Sequence, residues 1–250
     1  MNEPLHMNLC IDIGNSLAKT AVFSGSKIVN LRQSPEIGAR EIDSLISEFP
    51  EINNIILCSV RTHDQDLITL LQKRIARVLV FDEDTAIPLT NLYKSANTLG
   101  KDRLAAITGA NNIFPDRNVL VVDAGTAITF DLVDEFNRFV GGNISPGMTL
   151  RFRALHEFTG RLPLVSPVEN AGLLADNTTD AIASGVQNGI IFEMETYISR
   201  LKEKYSDLEI IFTGGDAKYF DKKLKYTIFV DPNLVFTGLN RILTYNVNKK

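Results

Sequence analysis

The chain has 250 residues, 44% hydrophobic and 22% charged, which is ordinary usage for a folded protein and leaves room for one large or two smaller domains. Its 26 basic and 30 acidic side chains leave a net charge of −4, so it has no general electrostatic attraction for nucleic acid or an anionic membrane, and any bound anion must be held locally. The two cysteines, Cys10 and Cys58, lie inside the apolar runs LCIDIG and IILCSV and read as small buried hydrophobes rather than a disulfide.

The N-terminal stretch MNEPLHMNLCIDIG lacks the basic flank and long apolar core of a signal peptide, and no apolar run approaches the roughly 20 residues needed to span a bilayer. A cytoplasmic protein is expected, with residues 1–6 a loose leader. In chain order the pattern then predicts a strand pair within Asn8 to Phe23, a strand at Lys27 to Leu31 and a helix near Ala39 to Phe49. A strand at Ile55 to Val60, a helix near Asp64 to Arg74, a strand at Arg77 to Phe81 and a helix over Lys101 to Asn111 complete the first half. FPDRN, Phe114 to Asn118, carries the Pro and polar residues of a hinge. Strands follow at Val119 to Asp123, Ala127 to Val133 and Phe139 to Ile144, then helices near Met148 to Glu157 and Asp180 to Tyr205, and a strand at Glu209 to Thr213. Asn246 to Lys250 reads as a polar, frayed tail.

The chain repeats itself. NLCIDIGNSLAKTAVF (Asn8 to Phe23) and VLVVDAGTAITFDLV (Val119 to Val133) are each a β-rich run ending in Asp-x-Gly and a polar residue, followed by a second strand-like run. Asp12 and Asp123 stand about one small domain apart. Two similar α/β domains are therefore expected, 7–116 and 117–246, each a mixed sheet with flanking helices and with the active site in the cleft between them.

An Asp ending a buried strand before Gly lets the backbone turn tightly with its N–H groups exposed, a geometry suited to phosphate. The first copy adds Asn15, Ser16 and Lys19 to Asp12 and Gly14; the second supplies Gly125, Thr126 and Thr129 beside Asp123. Thr213-Gly-Gly-Asp216 is a third Gly-rich turn, suited to a nucleoside. Neither G-x-x-x-x-G-K-[ST] nor G-x-G-x-x-G occurs, which disfavours a P-loop or Rossmann enzyme. His6, His63 and His156 are scattered and the cysteines lack ligand spacing, so the pattern offers no zinc site. Gly100-Lys101-Asp102-Arg103 places an Asp at the start of a helix, where the dipole favours its charge.

These residues resemble the type III pantothenate kinases. The likeness runs through Asp12-x-Gly-Asn-Ser with Lys19, Tyr93 before Leu-Gly-Lys-Asp-Arg, Asp123-x-Gly-Thr-Ala-x-Thr, Gly141-Gly-x-Ile-x-Pro-Gly, Asn177 to Gly185 and the TGGD turn, in consistent order. The resemblance implies a ribonuclease H-like, actin-like ATPase fold. It implies a homodimer that phosphorylates the primary hydroxyl of pantothenate, using Mg²⁺-ATP and a monovalent cation, K⁺ or NH₄⁺. By resemblance, Asp12, Ile13, Gly14, Asn15, Ser16, Leu17, Ala18, Lys19 and Thr126 contact ATP, and Asp123 binds the monovalent cation. Tyr93, Gly100, Lys101, Asp102, Arg103 and Thr178 surround pantothenate, with Asp102 the general base. Ser16 stands where Thr is usual, Ala96 where Pro is usual, and Ala175-Asp176 replaces a Gly-basic pair beside Thr178. The apolar stripe of Ala181 to Tyr205 suits a dimer contact. A sugar or short-acid kinase of the same superfamily and a non-catalytic regulator on the same scaffold are the competing readings. The Tyr93 and Gly-x-Asp-Arg set opposes the first, and the intact Asp12, Asp102 and Asp123 oppose the second.

Overall fold

The computed structural model describes residues 7–14, 17–59 and 65–249. Strand β1 (Met7–Ile13) is apolar along most of its length and buried on both faces, with Leu9, Cys10 and Ile11 fully enclosed. It turns back into β2 (Ala18–Ser24), which pairs antiparallel with it, and β2 pairs in turn with β3 (Lys27–Ser34), whose alternating exposure suits a sheet edge. Helix α1 (Ala39–Glu48), β4 (Ile52–Ser59), α2 (Gln65–Arg74) and β5 (Arg77–Val80) follow as strand-helix alternation. The expected strand end at Val60 and helix start at Asp64 lie outside the described residues. β1 pairs in parallel with β4, and β4 with β5, giving the order β5-β4-β1-β2-β3. Leu9, Ile11, Ile55 and Leu57 bury one face of this sheet against Ile42, Leu45, Leu67 and Leu71.

After the short strand β6 (Thr90–Asn91), helix α3 (Lys101–Ile113) is buried all round from Arg103 to Ala110. A helix without an exposed face must be covered on both sides. Strands β7 (Val119–Ala124), β8 (Ala127–Val133) and β9 (Arg138–Pro146) lead to α4 (Met148–Glu157) and the long α5 (Thr178–Lys204). The N-terminus of α5 is capped by Asn177, whose side-chain oxygen accepts from the Asp180 N–H at 3.0 Å. Then come β10 (Glu209–Thr213), α6 (Ala217–Asp221), β11 (Phe229–Val230) and α7 (Leu234–Asn248).

Two compact units result. One comprises Met1–Pro115, Asn137–Phe139 and Asn233–Lys250; the other Asp116–Phe136 and Val140–Pro232. The change at Pro115 falls inside the FPDRN segment. Strands of the second unit follow the order β11-β10-β7-β8-β9, the same plan as β5-β4-β1-β2-β3, with β7 antiparallel to β8 and parallel to β10. Its core joins Phe130, Phe152, Phe212 and Phe220 to Ile182, Val186, Ile190, Met194 and Ile198, which recur along one side of α5.

The C-terminal segment corrects the sequence division. Residues 233–246, assigned from the sequence to the second domain, pack in the first unit, where α7 crosses α3. The crossing is close because a Cβ at Gly238 would lie 1.7 Å from the Ala105 carbonyl oxygen, and one at Gly109 2.4 Å from that of Leu234. Division by repeat could not reveal a helix that returns to the first sheet. Nor is Asn246 part of a frayed tail: it lies within α7 and donates to the Ala86 carbonyl at 2.7 Å. Gly238→Ala is expected to cost about 1–3 kcal/mol by overpacking the crossing. Thermal melting checks this, and an unchanged midpoint would show that the two helices separate freely.

Candidate active site

In the first unit, the β1–β2 register sets Asp12 opposite Lys19 and Ile13 opposite Ala18, and the Gly14 N–H closes the turn on the Leu17 carbonyl at 3.0 Å. Asn15 and Ser16, expected on this turn, lie outside the described residues. Ala18 is buried, whereas Leu17 and Lys19 are exposed. On its other side Asp12 pairs with Cys58 of β4. Burial pushes the Asp12 carboxyl up to about 6; the negative charge of Asp102 pushes the same way, and Lys19 only partly offsets them. Burial, with the charges of Asp12 and Asp102, also raises the Cys58 thiol well above its ordinary range, which keeps it protonated.

Asp102 stands in the first turn of α3, where its Oδ1 accepts from the Arg103 N–H at 2.8 Å. Gly100 makes room for that carboxylate, since a Cβ there would lie 2.4 Å from Asp102 Oδ1. Arg103 is buried and places its guanidinium 5.6 Å from the centre of the Tyr93 ring. Tyr93 stacks in turn on the buried Phe139 at 5.8 Å, and its N–H donates to Asn91 Oδ1 at 2.9 Å. Thus Asp12, Lys19, Tyr93, Gly100, Lys101, Asp102 and Arg103 all belong to one unit. Phe139 was missed from the sequence, because nothing in its apolar run marks it as the support of an aromatic ring some 46 residues earlier.

The second unit carries the other hairpin. Asp123 lies opposite Thr129 on β8 and beside Thr213 on β10, and the Gly125 N–H donates to the Ala127 carbonyl at 3.0 Å. Thr126 is exposed, and its carbonyl accepts from the Gly147 N–H at 3.0 Å. A Cβ at Gly147 would fall 2.1 Å from the Gly125 carbonyl oxygen, so the Pro-Gly step after β9 seats against this hairpin only as glycine. Arg151 fixes the same step by donating to the Pro146 carbonyl at 2.8 Å and pairing with Glu193 on α5.

The TGGD turn meets the hairpin as well. Gly214 has φ +90°, and a Cβ there would lie 2.4 Å from both Asp123 Oδ1 and the Ala124 carbonyl oxygen. The Asp216 N–H donates to that same carbonyl at 3.0 Å, and burial raises the Asp216 carboxyl above its ordinary value. The glycine signal marked this turn in the sequence, but not the juxtaposition of Gly214 with Asp123. Thr178 lies elsewhere in this unit, exposed at the start of α5, and the departing residues Ala175 and Asp176 are exposed just before it.

Residues 8–200 match the family model described as type III pantothenate kinase. The type III pantothenate kinase of Bacteroides fragilis strain YCH46 is 42% identical over 240 residues, covering 96% of this chain and 98% of that protein. A solved chain from Campylobacter jejuni, assigned in its description to the Baf family of transcriptional activators, superposes with a TM-score of 0.62 at 25% identity, covering 96% of this chain and 99% of that one. A glucokinase from an Antarctic psychrotroph gives 0.55 at 10% identity over 96% and 99% of the two chains, a likeness of fold.

Proposed function

Because the chain belongs to the type III pantothenate kinase family, whose members phosphorylate pantothenate with ATP in coenzyme A synthesis, we propose that Asp102 is its catalytic base and that the two Asp-x-Gly hairpins hold ATP and its cations. The reaction transfers the γ-phosphoryl group to the primary hydroxyl of pantothenate, releasing ADP and 4′-phosphopantothenate. Asp102 takes the hydroxyl proton late in transfer. The observation that carries this assignment is that Asp102 stands in the first turn of α3, which packs on β4, the strand paired with Asp12 through Cys58, so that the Asp102 charge acts on the hairpin proposed for ATP.

Phosphoryl transfer through a loose transition state asks the protein mainly to align the hydroxyl and neutralise charge. In this reading Ile13, Gly14, Asn15, Ser16, Leu17 and Ala18 line the nucleotide phosphates, Lys19 meets their oxygens, and Thr126 adds a contact from the second hairpin. Tyr93, Gly100, Lys101, Arg103 and Thr178 enclose pantothenate. Tyr93 holds the Arg103 guanidinium against its ring, so that the cation is fixed in direction.

The donor chemistry suits the cations. A largely buried carboxylate, held near 6 beside a second carboxylate, is relieved by a divalent cation, and Mg²⁺ takes one or two protein carboxylates together with phosphate oxygens. No group of three or more His, Cys, Asp or Glu capable of holding a metal occurs among the described residues. When bound, Mg²⁺ supplies charge neutralisation at the phosphates. In the same reading the Asp123 carboxylate supplies an oxygen ligand for K⁺ or NH₄⁺, as the family resemblance implies. Activity is therefore expected to fall in buffer free of both ions. A full rate there would remove Asp123 from cation binding.

The proposed assembly is a homodimer. Ile144, Leu150, Phe158, Leu164, Leu173, Leu174 and Phe192 of the second unit are all exposed, Leu174 at 90%. Light scattering should return twice the chain mass at micromolar concentration, and the single-chain mass would reject the dimer. No helix among the described residues is long and apolar enough to cross a membrane, and the demand for ATP makes the cytoplasm the proposed compartment. A coupled assay of ADP release with purified protein, Mg²⁺-ATP and pantothenate tests the function directly. Pantothenate-independent ADP release, with no phosphorylated product, would overturn it.

A further inference from the structure

A cavity of about 640 Å³ opens in the first unit between the beginning of β1, the beginning of β5 and α7. Asn8 lines it, whereas Asp12, at the proposed catalytic edge, lies four residues further along the same strand, roughly 13 Å away at strand rise. The cavity is thus distinct from the proposed phosphoryl-transfer site.

Its floor is a directional chain of amides. Asn240 must turn its NH₂ to the Gly25 carbonyl, 2.9 Å away, because a carbonyl can only accept. That leaves Asn240 Oδ1 to accept from Asn8 Nδ2 at 2.7 Å, and Asn8 Oδ1 to accept from Asn54 Nδ2 at 2.9 Å. The polarity set at Gly25 is passed along to Asn54, whose Oδ1 ends the chain with no partner among the described residues. Asn54 is only 6% exposed, and an amide oxygen buried without a donor is unfavourable. At the rim stand Arg77 and Arg241, neither of which makes an ion pair within the described residues. Among the described residues the lining contains no acidic side chain, in a protein of net charge −4. Local positive charge therefore stands beside an unused buried acceptor.

We propose that this cavity binds a small organic anion, its phosphate or carboxylate on Arg77 and Arg241 and an N–H or O–H group of the same molecule supplying the donor that Asn54 Oδ1 lacks. Guanidinium groups suit both kinds of anion, and the second contact excludes ions that carry no donor.

The test is NMR titration of the full-length, isotope-labelled protein with glycerol 3-phosphate, with glycerate and with sulfate. Saturable shifts of the Asn8, Asn54 and Asn240 side-chain amides with one of the two hydroxylated anions, and weaker binding of sulfate, are expected. Glycerol 3-phosphate acting alone would assign the phosphate class, and glycerate acting alone the carboxylate class. In the double variant Arg77→Gln/Arg241→Gln, affinity should fall about tenfold or more, as expected for losing charge-assisted bonds. Its ATP and pantothenate kinetics without added anion should match the parent, since neither arginine has a place in the proposed catalytic set. Shifts confined to the Asp12 hairpin, no saturation at millimolar anion, or unchanged affinity in the double variant would each overturn the proposal.

Discussion

Asp102→Asn is expected to lower turnover by about 10²–10⁴ while the protein still folds and binds ATP. The carboxylate oxygen that accepts from the Arg103 N–H has a counterpart in the Asn amide oxygen, so the local bond at the start of α3 survives. Asn occupies nearly the same space, and the opening left by Gly100 remains sufficient. What disappears is the carboxylate that we propose accepts the proton of the pantothenate hydroxyl. Turnover, melting temperature and ATP affinity are to be measured on one preparation. Near-normal turnover would reduce Asp102 to a residue that stabilises a helix start. The substitution also removes a negative charge that raises the Asp12 carboxyl, so Asp12 should titrate lower in the variant. A shift of that titration, read by NMR, would show that the two carboxylates stand close whichever role Asp102 plays, so the turnover measurement alone separates a base from a helix-start residue.

The repeated Asp-x-Gly pattern was legible because it combines two local signals, a buried strand and a turn that needs glycine. Both survive in a single stretch of sequence, and the paired plans β5-β4-β1-β2-β3 and β11-β10-β7-β8-β9 follow from their duplication. The helices read at Lys101 to Asn111 and Asp180 to Tyr205 were visible from their apolar runs, and they extend over 101–113 and 178–204. Helix α7 was not. Its residues do not announce which sheet they cover, and only the crossing of Gly238 on Ala105 identifies the partner. The support of Tyr93 by Phe139 was hidden for the same reason, being a contact between distant segments whose individual residues look like ordinary core. At the site, the sequence marked Asp12 and Asp102 separately, by turn and by helix start. Their electrostatic coupling depends on the register of β1 beside β4 and the approach of α3, and no spacing along the chain encodes it.

Asp12→Asn should stabilise the ligand-free protein above neutral pH while abolishing most of its activity. The folded Asp12 carboxyl is held at about 6 against an ordinary value of 3.8, chiefly by burial and then by Asp102. Below 3.8 both folded and unfolded chains carry the proton, and this group makes no difference between them. Between 3.8 and 6 the folded chain keeps a proton that the unfolded chain releases, so stability declines as pH rises; above 6 the whole penalty is present. At about 1.36 kcal/mol per pH unit that penalty is about 3 kcal/mol, and a neutral Asn side chain avoids it. The variant should therefore melt several degrees higher at about pH 8, with the difference vanishing near pH 4. Mg²⁺-ATP should reverse the order: on the proposed assignment it compensates the buried charge of the parent and raises its melting temperature, whereas the variant lacks the charge proposed to hold the cation and gains little. Urea and thermal unfolding across roughly pH 4–8, with and without Mg²⁺-ATP, measure both halves. A variant less stable than the parent at the alkaline end, or a difference that does not change with pH, would mean that Asp12 is already neutralised in the free protein.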